Sequence, residues 1–507
     1  MGGGGASGLE TPTERSLCSA RRMRSGRSLA LWGSRRLKLI EPVSIARVVR
    51  PGGPSGPYNE RSMRVGVMHR RDLLALLASP LAALNPKADI TLRIAPVEVE
   101  IAARRTIKTI GYNGSFPGPV LRVREGHSVT VDIHNETPTP EIVHWHGLFV
   151  PSEVDGAEEE GTPMVPPRGS RRYAFVPRPA GTRWYHTHVS AGRNLKRSTY
   201  TGQFGFLYVE PKSDPGRYDA EVFLALHGWE PYLGTMGADE GTLDAIYQSY
   251  SVNSRSLGYG DPIRVKEGQR VMLRILNASA TMLHRLAFAG HRFEVVALDG
   301  NRVPTPREVE VLELGPAERV DAVVTMRQPG VWILGEVDVG VRNAGLGVVV
   351  EYANRKGPAQ WAAPPASRWD YTVFGRDRAV APPDAEVVPL VFRQKFAGNR
   401  WVDHWTINGK SFPKTAPIRV QANKRYRLRF DNQSDEAHPL HLHRHSFELT
   451  RYAGVATSGV VKDVVMVPAR RQVEVDFLAD NPGPSLLHCH MQLHMDYGFM
   501  TLVEYGQ

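Results

Sequence analysis

Four short runs gather imidazole and thiol groups in a chain of 507 residues with 18 histidines and two cysteines. They read His144-Trp-His146, His186-Thr-His188, His438-Pro-Leu-His441-Leu-His443 and His488-Cys489-His490-Met-Gln-Leu-His494. In a strand, residues two apart share a face, so each His-X-His pair presents two donors to one side. Two strands of one unit then offer four imidazoles, and a second unit offers four more. Eight neutral imidazoles converging at one boundary are costly unless metal satisfies them. Cys489 points to the opposite face from His488 and His490. A thiolate with two imidazoles is the ligand set of a blue copper site, and His438 and His494 are the available partners. The thiolate then holds one copper while its neighbours hold metals behind it, giving an electron a short covalent route.

The elements that must carry these runs repeat three times. Pro119-Val-Leu-Arg122 runs on to Asn135, Pro262-Ile-Arg264 to Asn277, and Pro417-Ile-Arg419 to Asn432, with an Arg-to-Asn offset of 13 in each. Between the anchors polar and apolar residues alternate, as in Ser128-Val-Thr-Val-Asp132, which predicts half-buried strands. Nine and eleven residues past the Asn stand His144 and His146 in the first copy and His441 and His443 in the third. The same count in the middle copy gives Leu286 and Phe288, and its later segment, Val331-Trp-Ile-Leu-Gly, holds no histidine. The pattern predicts an all-β chain of three consecutive sandwich or Greek-key barrel units, at 89–212, 213–375 and 376–507, behind a leader at 1–88.

Charge separates along the same boundary. The net charge is +11, but residues 1–88 hold 15 Lys/Arg against 5 Asp/Glu and the remainder 48 against 47. The body therefore offers no net field for nucleic acid. Residues 1–67, rich in Gly, Ser and Arg, read as unstructured. From Met68 the text is Met-His-Arg70-Arg71-Asp72, then an apolar run to Leu84, the layout of a twin-arginine-like export signal. The expected location is periplasmic or secreted, with Met63 or Met68 as alternative starts. No segment has the length for stable membrane insertion. Cys18 lies in the leader, so the body holds one thiol and no internal disulfide.

The four runs resemble the copper-binding motifs of the multicopper oxidases, of the laccase-like three-domain bacterial type, over about residues 95–507. The resemblance implies three cupredoxin domains and four coppers, with the cluster between the first and third. Type 1 copper would take His438, Cys489 and His494, and type 2 copper His144 and His441. One type 3 copper would take His146, His186 and His490, the other His188, His443 and His488. Many relatives carry an axial Met where this chain has Phe499, which implies a three-coordinate type 1 site of raised potential. Strand alternation turns the adjacent Met500 away. Asp155 resembles the family's acidic residue near type 2 copper, a proton relay. Some relatives carry Glu after the last type 1 histidine. Here Met495 stands there, with Asp496 as a candidate substitute.

The implied activity is one-electron oxidation of phenols or aromatic amines coupled to reduction of dioxygen to water, with no organic cofactor. Two rivals are a cuprous oxidase of copper tolerance, against which the lack of a Met-rich cluster weighs, and a metal-free envelope scaffold, against which the full ligand set weighs. His127, His134, His227, His284, His291 and His404 match no ligand offset and read as surface or satisfied core residues. His445 extends the rhythm past His443 without a required role.

Overall fold

The computed structural model describes residues 86–213, 216–235, 243–380, 383–396 and 402–506. The export signal, Cys18 and the alternative starts fall outside them. Among the described residues no helix is long and apolar enough to cross a membrane.

Alternation makes the strands. Val129–Asn135 buries every second residue, and Arg425–Asn432 repeats the pattern. In the first unit the strands Ile90–Ala102 and Val129–Asn135 pair in parallel, as do Leu121–Arg124 and Phe204–Glu210 in the facing sheet. The middle unit repeats both pairings with Ala220–Trp229 beside Arg270–Asn277 and Ile263–Val265 beside Gly347–Tyr352. The third does so with Glu386–Lys395 beside Arg425–Asn432 and Ile418–Val420 beside Met500–Tyr505. Each unit is thus a two-sheet sandwich with crossed strand order, and the chain is three consecutive cupredoxin-like folds. One apolar core runs unbroken through the second and third units, and a smaller one around Trp184, Trp229 and Ala317 joins the first to the second.

The anchoring asparagines recur for a physical reason. Asn432 Nδ2 donates to the carbonyls of Glu436, Val467 and Pro468, while its Oδ1 accepts from Ser434 N–H. Asn135 makes the same set to Thr139, Val165, Pro166 and Thr137. One side chain so stitches a turn to a neighbouring strand.

Asn277 stitches a turn one residue longer, donating to Met282 and Leu314. The count from the sequence is therefore one short in the middle unit. His284 pairs with Leu314 as His438 pairs with Val467, so Ala287 and Ala289, not Leu286 and Phe288, match His441 and His443. The match continues around the third unit's thiol. Glu336 lies opposite Leu286 as Cys489 lies opposite Leu440. Helices Val339–Asn343 and Gln492–Asp496 begin three residues later, which puts Val341 in the place of His494. Glu336 N–H donates to Leu346 O as Cys489 N–H donates to Phe499 O.

Candidate metal centre

Four short strands deliver eight histidines to the boundary of the first and third units. Val143–His146 pairs with Gly181–Thr187 so that His144 lies beside His186, and His438–Leu442 pairs with Ser485–Cys489 so that His441 lies beside His488. The two halves interlock by ring stacking: His144 on His443 at 4.0 Å and His146 on His441 at 3.7 Å between centroids. Three donor groups result, His144/His146/His441, His146/His186/His490 and His188/His443/His488, with the donor atoms of each within 4.8 Å of one another.

All these rings are buried. Burial pushes the imidazoles of His146, His186, His188, His441 and His488 well below their ordinary range, with neighbouring rings adding to the effect, so they stand neutral with lone pairs free. Nε2 of His144, His441 and His490 and both nitrogens of His188 have no hydrogen-bond partner among the described residues. An unpaired buried polar atom costs about 1–3 kcal/mol, and a set of them converging on one space is explained by bound ions. Imidazole donors suit copper. The residues fit the metal.

A fourth group stands behind Cys489. Its Sγ lies 3.7 Å from His494 Nδ1 and 4.0 Å from His438 Nδ1, with the two nitrogens 3.2 Å apart. Burial pushes the Cys489 thiol up, so a metal taken here must displace its proton. Phe499 is buried with its ring 4.9 Å from His438, while Met500 packs with Leu486 and Met495 on the other side, as alternation requires. Trp405, which the sequence did not single out, covers both rings at 4.6 and 4.3 Å. His494 Nε2 lies 3.4 Å from Oε2 of the part-exposed Glu436.

Carboxylates frame the larger cluster. Asp155, at the end of the one-turn helix Ser152–Asp155, places Oδ2 2.9 Å from His443 Nδ1 and 3.2 Å from His144 Nδ1. Burial opposes its ionisation, yet His144 and His443 hold the carboxyl well below the usual range. Two further acids reach ligands that sequence reading did not connect. Glu160 Oε1 lies 3.1 Å from His443 Nδ1, and Asp463 Oδ1 lies 3.1 Å from His146 Nε2. Asp496, the candidate substitute for a relay, is committed elsewhere. Its oxygens accept from the N–H groups of Ala191 and Gly192 and from Gln492. His445 is a fastener between His443 O and the Tyr505 hydroxyl, and His284 bridges Ser279 and Glu336. His291 is likewise satisfied in the core, His227 is buried with its Nδ1 on the Ala278 carbonyl, and His127 and His404 are exposed.

The comparison with known proteins agrees with this arrangement. Sequence models described as multicopper oxidase match residues 93–214, 234–342 and 388–507. Multicopper oxidase MmcO of Mycobacterium tuberculosis is 30% identical over 453 residues, covering 82% of this chain and 86% of that protein. This chain belongs to the multicopper oxidases. Laccase-2 of Trametes versicolor is similar at 26% identity, covering 84% of this chain and 91% of its own. A multicopper oxidase structure from Pseudomonas thermotolerans has a TM-score of 0.64 at 26% identity over 83% of this chain and 100% of that one. The laccase of Botrytis aclada, with a TM-score of 0.69 at 19% identity over 84% of this chain and 89% of its own, shares the fold. As a multicopper oxidase, the protein is a copper-dependent oxidoreductase that uses dioxygen to oxidise small molecules.

Proposed function

We propose that this multicopper oxidase is laccase-like, oxidising phenols and aromatic amines at the outer edge of His494. One observation carries the reading. Cys489 belongs to the donor group His438/Cys489/His494, whose His494 touches the part-exposed Glu436, and its two chain neighbours belong to the other two groups, His188/His443/His488 and His146/His186/His490. Its backbone is therefore a covalent bridge between the place where electrons enter and the place where they are used.

Bound copper supplies one-electron redox chemistry and a binding place for dioxygen. The chain does the rest. His438, Cys489 and His494 would hold type 1 copper, with Phe499 beside them offering no donor atom. His144 and His441 would hold type 2 copper. His146, His186 and His490 would hold one type 3 copper, and His188, His443 and His488 the other, for four in all. Four one-electron oxidations release four electrons and four protons, which dioxygen takes up to leave as two waters. Glu436 is the base positioned to accept a substrate's proton at the His494 edge. Asp155, ionised between His144 and His443, is the proton relay on the oxygen side. The Arg70-Arg71 segment supports export of the chain to the periplasm or beyond.

Copper analysis, optical and spin-resonance spectra and oxygen uptake test this reading. Four coppers per chain, a blue band and faster uptake with a phenol than with cuprous ion support it. A colourless protein, or one holding zinc, overturns it. Uptake driven by cuprous ion alone converts it to a copper-tolerance oxidase.

A further inference from the structure

With Met495 apolar and Asp496 tied to Ala191 and Gly192, the expected second carboxyl is missing from the last motif. A carboxyl nevertheless reaches the cluster from the opposite side. After Asp155 the chain turns at Gly156 (φ 98°), where any Cβ would collide with the backbone of Val143 and His144. Thr162 fastens the loop by donating to Ser152 O and accepting from Gly156 N–H. The short 3-10 helix Glu158–Glu160 so formed buries Glu160 under the third unit.

Glu160 Oε1 there accepts from Leu486 N–H at 2.5 Å and lies 3.1 Å from His443 Nδ1. Leu486 is two residues before His488 on the same strand. One oxygen of the first unit thus holds two segments of the third, each bearing a donor of the His188/His443/His488 group. The second oxygen, Oε2, is buried and has no hydrogen-bond partner among the described residues. A neutral imidazole carries one N–H. With Asp155 and Glu160 oxygens both at Nδ1, that hydrogen sits on Nδ1, and Nε2 turns its lone pair toward His488 Nε2, 3.1 Å away. An interdomain fastener alone would need only an acceptor for Leu486 N–H, which an amide supplies without burying a second carboxyl beside Asp155.

We propose that Glu160 is a positioning residue of the oxygen-reducing cluster, fixing through His443 the copper-facing nitrogen of the site shared with His188 and His488. The proposal rests on the copper assignment made above. Its test uses the full, copper-loaded chain and the variants Glu160→Leu and Glu160→Gln. Four quantities are followed: copper retained on dialysis against a chelator, near-ultraviolet absorption of the coupled pair, the blue band and the melting temperature. Lost partners of metal-bound histidines weaken metal affinity by about 10–100-fold. Glu160→Leu is expected to retain copper at least tenfold less well and to lose the near-ultraviolet absorption while the blue band stays. Glu160→Gln, with one acceptor oxygen left, is expected to fall between it and the parent with an unchanged melting temperature, and it decides the matter should Glu160→Leu fail to fold. Parent-like copper retention in Glu160→Gln and in any folded Glu160→Leu overturns the proposal, as does loss of both absorptions in step with the melting temperature. A parent chain that binds no copper overturns the copper assignment instead.

Discussion

The guanidinium of Arg319 and the carboxylate of Asp463 meet through two contacts of 2.7 and 2.6 Å, both residues fully buried. Arg319 belongs to the middle unit and Asp463 to the third. Asp463 in turn faces His146 of the first unit and accepts from His441 Nδ1 through its backbone oxygen at 2.8 Å. The unit without metal ligands therefore orients ligands of both others. Arg319→Met leaves the Asp463 carboxylate with Arg183, at 3.3 Å, as its remaining guanidinium beside His146, and breaking such a buried pair costs roughly 3–5 kcal/mol. The expected outcome is a lower melting temperature and loss of copper. Arg319→Lys should do less harm but not match the parent, because an ammonium lacks the paired fork. Unchanged melting of Arg319→Met would contradict the role.

Cys489→Ser removes the only thiol among the described residues. The blue band should vanish and turnover with phenols should fall to background, since Cys489 stands directly between His488 and His490 of the other two groups, while copper at the histidine groups should remain. Metal analysis and oxygen uptake check both halves. Residual blue colour would refute the ligand set.

Asp155→Asn keeps the shape of a hydrogen-bonding group beside His144 and His443 but removes its basicity. Oxygen uptake should drop by about 10²-fold or more, the usual contribution of a placed proton-transfer group, with the blue band unaltered. Uptake within twofold of the parent would leave Asp155 as a turn residue.

Burial lifts the Glu436 carboxyl, with Asp244, Asp403 and Asp435 adding, to about 7. A base must be ionised to accept a proton, so kcat/KM for a phenol should rise with pH through that value. Glu436→Gln should flatten this limb. A donor that gives up an electron without a proton should show no such limb in either protein. A phenol profile unaltered by the substitution would exclude Glu436.

Phe499→Met restores a sulfur donor beside His438 and Cys489. The potential of the type 1 site should fall, because an axial donor stabilises the oxidised ion. Redox titration of the blue band reads the shift directly. An equal or higher potential would mean that the methionine sulfur does not reach the site.

The donors were legible because matched offsets in two copies cannot arise from unrelated core packing. The acids were not. Glu160 and Asp463 meet their histidines only when the first and third units close on each other, His443 being 283 residues from Glu160. No local period marks such a contact. Trp405 reaches the thiol site from the strand His404–Ile407, outside the motifs, and Glu436, in the turn before His438, meets His494 only once that turn folds against the last motif. The middle unit was misaligned by one residue because counting from Asn277 assumes turns of equal length, and the stitched carbonyl there is Met282, five residues on, where Asn432 reaches Glu436 after four. His284 thereby passed as an unrelated core histidine.

Apart from that longer turn, the middle unit keeps the frame of its thiol-site counterpart, from the Ser279–His284 contact of 2.9 Å, against 2.8 Å for Ser434–His438, to the hydrogen bond from Glu336 N–H to Leu346 O. It does so with Glu336 and Val341 where the counterpart has sulfur and imidazole. The backbone around the thiol site is therefore one that a sequence without sulfur or imidazole at those two positions also builds, so a blue band lost in Cys489→Ser would report a missing donor rather than a collapsed frame.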